Sequence, residues 1–159
     1  ATNWLTGAEH FILFGSAGCL NRAATQGKLV VPTAAYRDEG ISYHYAPAAP
    51  YIDIPNAPQV AALFEQLQVP HVAGRIWTTD AIYRETRAKL EARRAEGCLA
   101  VDMEIAGVQA VCNYHGFQLY CFLMTGDVLD QPAWDVAELG EANHSLSNLK
   151  LALSLAASL

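Results

Sequence analysis

The chain has 159 residues, of which 52% are hydrophobic and 16% are charged, and its formal charge is −6. That length suffices for one domain with a buried core, and the apolar composition excludes a disordered chain. The acidic balance, without a basic patch, excludes a nucleic-acid partner. No apolar run reaches the roughly 18 residues of a membrane-spanning helix, so we expect no membrane partner. So few charges predict apolar surface that a second copy covers, and hence a homo-oligomer.

The first ten residues contain no basic region followed by an apolar block, so the sequence predicts no secretory signal. The four cysteines form no CxxC pair and have no histidine at a zinc-like spacing. We therefore expect reduced, buried thiols in a cytoplasmic protein and no metal site.

Apolar runs and turn residues predict alternating strands and helices. The predicted strands are Phe11–Phe14, Lys28–Val31, His71–Trp77, Cys98–Val101 and Leu119–Met124. The predicted helices are Ala57–Gln68, a charged helix capped by Asp80 that runs to Glu96, Glu104–Tyr114, and one from about Glu141 to Ala156. Several strands are apolar throughout, as in strands covered on both faces, which indicates an α/β fold with a mostly parallel central sheet.

The first predicted strand is followed by a small-residue turn, Gly15–Gly18. In open α/β sheets, ligands bind beyond the carboxyl ends of the strands. The glycines would let backbone N–H groups approach an anion, and Ser16 adds a hydroxyl. From these residues alone, a plain tight turn is the favoured interpretation.

Two later strand ends carry carboxylates. Asp102 and Glu104 follow one strand, where a carboxylate can accept hydrogen bonds from a pair of sugar hydroxyls, or where Asp102 can cap the next helix. Asp127 follows the most apolar strand in the sequence Thr-Gly-Asp. It can serve there as a general acid, or it can form an Asx turn in a loop.

Six segments, in their order and spacing, resemble the nucleoside phosphorylase/nucleosidase superfamily: FGSAGCLN, GKLVVP, AYRDEGISYHYAP, TTDAIYRE, CLAVDMEIAGVQAV and FLMTGD. This superfamily includes purine nucleoside phosphorylase, uridine phosphorylase and methylthioadenosine nucleosidase. The resemblance implies a three-layer α/β fold with a central mixed, partly barrel-like sheet flanked by helices. Because members of the family are longer, we expect residues 1–159 to form one domain that covers the C-terminal two-thirds of the family fold, truncated at its N-terminus.

The VDMEIAG segment is similar to the family motif VEMEAAG, with Asp102 in place of the usual Glu. The resemblance implies that Glu104 binds the ribose 2′- and 3′-hydroxyls, that Met103 packs against the sugar, and that Asp102 belongs to the same ribose site. It implies that Gly15 and Ser16 face phosphate, or the water that replaces it.

For the base, the resemblance implies that Asp127 protonates or hydrogen-bonds a purine at N7 and that Tyr83 lines the base pocket. The Gln/Arg pair with which family members read uracil is absent after Tyr83, which favours a purine. Leu13 stands where phosphorylases of the family usually carry an Arg. Arg22, Arg37 or Arg75 could take over that role.

The resemblance therefore implies an enzyme, a pentosyltransferase, that assembles as a dimer or a trimer of dimers. It would cleave the N-glycosidic bond of a purine nucleoside with phosphate, giving base and ribose 1-phosphate, with no metal and no organic cofactor. One alternative is a nucleosidase that uses water, which Leu13 favours. Another is a non-catalytic, ligand-binding remnant.

Overall fold

The structure is a computed structural model that describes residues 2–129 and 146–159. In these residues the strands are β1 (His10–Cys19), β2 (Leu29–Asp38), β3 (Tyr51–Asp53), β4 (His71–Thr79), β5 (Cys98–Asp102) and β6 (Gln118–Val128). The α-helices are α1 (Thr2–Thr6), α2 (Arg22–Thr25), α3 (Ala57–Gln66), α4 (Arg87–Ala95), α5 (Ile105–His115) and α6 (Leu146–Ala156). Short 3-10 turns cover Ile41–His44 and Ile82–Arg84.

The six strands form one mixed sheet in the order β3-β2-β4-β5-β1-β6. The pairs β1/β6, β2/β4 and β4/β5 are parallel, whereas β1/β5, β2/β3 and β2/β6 are antiparallel. The pairing of β2 with β6 closes five of the strands into a ring and leaves β3 outside it. The mixed, partly barrel-like sheet implied by the resemblance is therefore confirmed. Its two longest ladders, β1/β6 and β2/β4, are parallel, in agreement with the mostly parallel sheet expected from strand composition.

The core lies where α3, α5 and α6 pack against this sheet. Phe64 of α3 is fully buried and meets Phe122 of β6 edge-on, with ring centroids 5.2 Å apart. Burying a side chain of this size stabilises the fold by about 1.5–3 kcal/mol. A second, smaller cluster contains Trp77 at the carboxyl end of β4, together with Leu20 and Val101. The cluster thus packs residues near the carboxyl ends of β4 and β5 against Leu20, which directly follows β1.

The main differences from the sequence-based expectations concern the glycine-containing segments. Gly15–Gly18 is not a turn but part of β1, and Thr125–Asp127 is not a loop but part of β6. Each segment pairs with the other along the parallel β1/β6 ladder, which supplies its backbone hydrogen bonds. β2 is likewise longer than predicted and runs on through Pro32 to Asp38.

The predicted helices are present, and one of them starts later than expected. The helix expected after Asp80 begins only at Arg87, because a 3-10 turn intervenes. The helices α3 and α5 lie close to their predicted ranges. α6 ends at Ala156 as predicted, and the predicted start near Glu141 lies outside the described residues.

Candidate active site

The carboxyl ends of β1, β5 and β6 meet at Gly18. Gly18 pairs with Val101 of β5 on one side and with Asp127 of β6 on the other. Two interstrand spacings, about 10 Å in total, therefore separate Val101 from Asp127. Asp102 follows Val101 and is itself the register partner of Thr78 on β4. The structure thus brings the strand end that carries Asp102 and Glu104 next to the one that carries Asp127.

A side chain at position 18 would crowd the side chains on both sides. A Cβ there would lie 2.7 Å from Leu129 Cδ1, 2.8 Å from Val101 Cγ1 and 3.5 Å from Asp127 Oδ1. At Gly15, in contrast, a Cβ would meet no atom within 4 Å. The two glycines of the predicted turn therefore have different surroundings, and of the two only Gly18 lies where a side chain would crowd the neighbouring strands.

Asp102 is a buried cap of helix α5. Its Oδ2 accepts hydrogen bonds from the backbone N–H groups of Glu104 (3.0 Å) and Ile105 (2.7 Å), and its Oδ1 accepts one from Thr78 Oγ1 (2.6 Å). Thr78 Oγ1 also accepts a hydrogen bond from the N–H of Ala106 at 3.2 Å. Burial raises the pKa of Asp102 to about 6, even though these hydrogen bonds oppose the shift. The capping alternative is thus confirmed for Asp102.

Met103 and Glu104, in contrast, face solvent at the first turn of α5. Met103 is 41% exposed, and both side chains line a cavity of about 890 Å³. The Glu104 carboxylate makes no capping bond to its own helix. It also accepts no hydrogen bond from any other described residue, so it is available to a ligand's hydroxyl groups. The ribose role of these two residues stays a prediction, and their position is compatible with it.

The cavity lies between α1, α5 and the 3-10 turn Ile41–His44. Its wall is mainly apolar, with Ile41 and Val108 among its residues, and it carries the carboxyl groups of Glu39, Asp80 and Glu104. The side chain of Glu39 is tied down, because its Oε2 accepts the N–H of Ser42 at 2.9 Å.

The sequence pattern around Asp80 predicts only a helix cap and gives no indication that this residue lines a cavity. Asp80 lines the cavity instead, close to Gly40, where a Cβ would lie 3.9 Å from its Oδ2. The signal that could have found it is its place directly after a buried strand, the same signal that drew attention to Asp127.

The residues predicted to face phosphate lie in β1 and do not line this cavity. Gly15 and Ser16 are half-buried, and Leu13 packs against the main core. Two of the arginines considered as replacements have other partners. Arg37 is buried and donates to Ser42 Oγ at 2.7 Å and to the Pro47 carbonyl at 2.6 Å, whereas Arg75 stacks on the ring of Tyr51.

The base-pocket residues lie on different elements. Tyr83, in the 3-10 turn after β4, is 99% exposed and does not line the cavity. Asp127 is half-buried in β6 beside Gly18. Glu85, which sequence analysis did not single out, is half-buried and lies within electrostatic range of Asp127. Burial and the Asp127 carboxylate together raise the pKa of Glu85 to about 7.

In the part of the chain that the structure describes, no helix is long and apolar enough to cross a membrane. The same residues contain no cluster of three or more His, Cys, Asp or Glu side chains that could hold a metal ion. All four cysteines are free and buried, as predicted.

Comparison with known proteins identifies the family. The model of the phosphorylase superfamily matches residues 2–158. The chain belongs to this superfamily, as the six sequence segments indicated. Its mixed sheet flanked by helices is the fold of the nucleoside phosphorylases and nucleosidases.

Two curated relatives carry descriptive names. The chain is 28% identical over 124 residues to a DeoD-type purine nucleoside phosphorylase of Colwellia psychrerythraea, which aligns 76% of this chain and 53% of the relative. It is 30% identical over 119 residues to a guanosine phosphorylase of Halorubrum lacusprofundi, which aligns 70% of this chain and 47% of the relative. An uncharacterized protein of Acanthamoeba polyphaga mimivirus is 25% identical over 93% of this chain and 59% of its own length.

Among solved structures, the AMP nucleosidase of Bacteroides thetaiotaomicron shares the fold with a TM-score of 0.76 at 18% identity. That match covers 98% of this chain and 63% of the neighbour. The chain thus spans about half the length of the curated relatives it matches and less than two thirds of the structural neighbour.

Proposed function

We propose that the protein cleaves the N-glycosidic bond of a purine nucleoside and transfers the ribosyl group to phosphate. The observation that carries the proposal is the meeting of three strand ends at Gly18, which brings the Asp102–Glu104 segment and Asp127 to the same end of the sheet. A nucleoside has a diol at one end and a base at the other, so it needs binding groups separated in this way. The names of the two curated phosphorylases support the same reaction.

In this proposal, the transition state is a ribosyl oxocarbenium ion with a departing base. Glu104 accepts hydrogen bonds from the 2′- and 3′-hydroxyls, and Met103 packs against the sugar. Asp102 is a positioning residue here, because its hydrogen bonds to the N–H groups of Glu104 and Ile105 fix the start of α5. Asp127 gives a hydrogen bond or a proton to N7 of the purine, so that the base leaves without full negative charge.

Phosphate would approach from the side of Gly15 and Ser16. The open space above Gly15 leaves its backbone accessible, and the Ser16 hydroxyl lies on the same strand. Tyr83 would cover the base from the exposed 3-10 turn. No metal or organic cofactor takes part in this mechanism, and phosphate enters as a co-substrate.

Hydrolysis is the second candidate, favoured by a specific observation. Leu13 replaces the expected phosphate-binding Arg, and Arg37 and Arg75 are engaged elsewhere. A site with fewer cations holds phosphate more weakly but still admits water. The AMP nucleosidase fold neighbour is compatible with this alternative.

An assay with inosine, guanosine and adenosine, each with and without phosphate, distinguishes the candidates. Phosphorolysis predicts base release that depends on phosphate and yields ribose 1-phosphate. Hydrolysis predicts release of free ribose at an equal rate without phosphate. If none of the three nucleosides is cleaved under either condition, the proposal of a nucleoside-cleaving enzyme is wrong, and a binding role takes its place.

We also propose that the protein works as a homo-oligomer. Large apolar side chains are exposed on the described surface, among them Trp4 at 86%, Leu5 at 72% and Tyr114 at 66%. Covering such side chains is a common reason for self-association. Light scattering at micromolar concentration should give at least twice the 17.2 kDa chain mass, and a monomer would contradict the proposal.

A further inference from the structure

A second, smaller cavity lies between α4 and the strands β2 and β4. Helix α4 presents the small side chains of Ala88 and Ala92 to it, and the space has a volume of about 250 Å³. The other lining residues are Tyr36, Asp38 and Trp77 of the strands, and Lys89 and Arg93 of α4. Of the described residues, none lines both this cavity and the larger one beside Glu104. The two cavities are therefore separate sites.

The aromatic rings of the smaller cavity are already packed against other groups. Trp77 is fully buried. The guanidinium carbon of Arg93 lies 3.5 Å from the centre of the Tyr36 ring, and Tyr51 meets the same ring at a steep angle. The cavity thus offers a ligand hydrogen-bond donors rather than a stacking surface.

Arg93 supplies a buried donor. Its side chain is only 13% exposed, and its Nη2 pairs with Glu96 Oε1 at 2.9 Å. Its Nη1 is buried and has no hydrogen-bond partner among the residues that the structure describes. A buried, charged donor without an acceptor is costly in free energy, so we expect a bound group to accept a hydrogen bond from it.

Lys89 supplies further donors, one helical turn before Arg93. Its Nζ lies 2.7 Å from Asp38 Oδ2, which also accepts the indole N–H of Trp77 at 3.2 Å. An ammonium group has three N–H donors, and within residues 2–129 and 146–159 Asp38 is the acceptor found for them. Two donors are thus left for a ligand.

The spacing and the charges of these side chains suit one small anion. Residues four apart on a helix have Cβ atoms about 5–6 Å from each other, so a single ion can reach both Lys89 and Arg93. Glu96, the partner of Arg93, does not line the cavity. Inside it, two cations therefore face one carboxylate, that of Asp38.

We propose that this cavity binds a small tetrahedral oxyanion of the size and charge of inorganic phosphate. One oxygen accepts a hydrogen bond from Arg93 Nη1, and another accepts one from Lys89 Nζ. A water molecule would satisfy a donor as well, but a dianion also offsets the excess of positive charge, and its hydrogen bonds to cations are the stronger ones. The site is independent of the proposed nucleoside reaction.

Nuclear magnetic resonance of the indole N–H of Trp77 tests the site, because Asp38 joins this group to Lys89. Trp4→Phe and Trp134→Phe assign the signal, since the chain has three tryptophans. At constant ionic strength, inorganic phosphate should shift the Trp77 signal and saturate at millimolar concentration. Sulfate should act similarly, and the planar monoanion acetate should bind at least about tenfold more weakly.

Substitutions on α4 then locate the bound ion. Arg93→Gln should weaken phosphate binding by about tenfold to a hundredfold, the effect of losing one charge-assisted hydrogen bond. Lys89→Gln should weaken it in the same direction, and this half-exposed position keeps the test valid if Arg93→Gln does not fold. Arg87→Gln is the matched control, because it removes the same charge from α4 outside the cavity, and its Kd should equal that of the wild type.

Three results would overturn the proposal. The first is a Trp77 shift that grows with phosphate without saturating, or that acetate produces equally well. The second is equal weakening by Arg87→Gln and Arg93→Gln, which would show a general ionic effect. The third is an unchanged Kd in both Arg93→Gln and Lys89→Gln, which would show that phosphate acts from elsewhere, such as the nucleoside site.

Glycerol 1-phosphate distinguishes the source of the phosphate group. Weaker binding than that of inorganic phosphate would support the free ion as the ligand. Tighter binding that is still lost in Arg93→Gln would overturn the free ion and assign the cavity to a phosphate monoester. Because every measurement here is of binding without a nucleoside, the outcome does not depend on whether the protein cleaves one.

Discussion

Gly18 and Asp127 are register partners on parallel strands, and an added Cβ on Gly18 would lie 3.5 Å from Asp127 Oδ1. The same Cβ would lie only 2.8 Å from Cγ1 of Val101, which is buried. A side chain at residue 18 would therefore clash with Val101 and lie in ordinary van der Waals contact with the Asp127 carboxyl group.

Gly18→Ala should destabilise the protein by about 1–3 kcal/mol, because the extra methyl overpacks the junction of β1, β5 and β6. Gly15→Ala is the matched control, since its Cβ would enter open space, and its stability should stay within about 0.5 kcal/mol of the wild type. Urea unfolding of both variants measures the difference. Equal stability of the two variants would contradict the prediction, because it would show that β1, β5 and β6 can move apart to accommodate the extra methyl group.

Asp102 and Thr78 provide a second test, through the pH dependence of stability. The folded-state pKa of Asp102, about 6, is higher than its ordinary value of 3.8, so the folded state prefers the protonated carboxyl. The stability that this preference contributes is fully present below about pH 4 and is lost as the pH rises through 6. The loss amounts to about 3 kcal/mol.

Asp102→Asn keeps an acceptor for the N–H groups of Glu104 and Ile105 but cannot ionise. Its free energy of unfolding, relative to the wild type, should therefore rise by up to about 3 kcal/mol between pH 4 and pH 7. Asp102→Ala loses the cap as well and should be less stable than Asp102→Asn by about 1–2 kcal/mol. Denaturant unfolding at the two pH values measures both effects. Parallel pH curves for wild type and Asp102→Asn would refute the buried-charge explanation.

In the proposed function, Glu104 is the residue that binds the ribose hydroxyls. Glu104→Ala should fold normally, because the side chain is exposed and makes no hydrogen bond within the described structure. Loss of the charge-assisted bonds to the sugar hydroxyls should lower kcat/KM about tenfold to a hundredfold or more. For the corresponding 2′,3′-dideoxynucleoside, kcat/KM should differ little between wild type and Glu104→Ala. An equal loss for substrates with and without the diol would remove Glu104 from the ribose site.

The sequence predicted the α/β class, the strand cores and α3 and α5 well, because their apolar patterns are long and regular. It failed at Gly15–Gly18 and Thr125–Asp127, where small residues favour a turn locally. Each of these segments finds its hydrogen-bond partners in the other, more than a hundred residues away, and local propensity cannot register that pairing.

The same contrast, between features with a clear local pattern and features that depend on distant residues, holds for the site. Asp102, Glu104 and Asp127 stood out because they follow apolar strands. Glu85 did not, because it lies in a charged run that is typical of a solvated helix face. The 3-10 turn before α4 delays the helix to Arg87, and Glu85 is half-buried within electrostatic range of Asp127. The choice between Asp102 as a cap and as a sugar ligand likewise needed the hydrogen bonds to Thr78 and to the start of α5.

The central claim, that Asp127 assists departure of a purine, is tested most directly by kcat/KM of wild type and Asp127→Asn. The measurement compares a 6-oxopurine nucleoside with 4-nitrophenyl riboside, whose leaving group needs no proton. Asp127→Asn should slow the purine nucleoside by about 10²–10⁴-fold, the usual contribution of a general acid, and should slow the activated riboside much less. Equal slowing of both substrates, or a wild type that prefers uridine, would contradict the account.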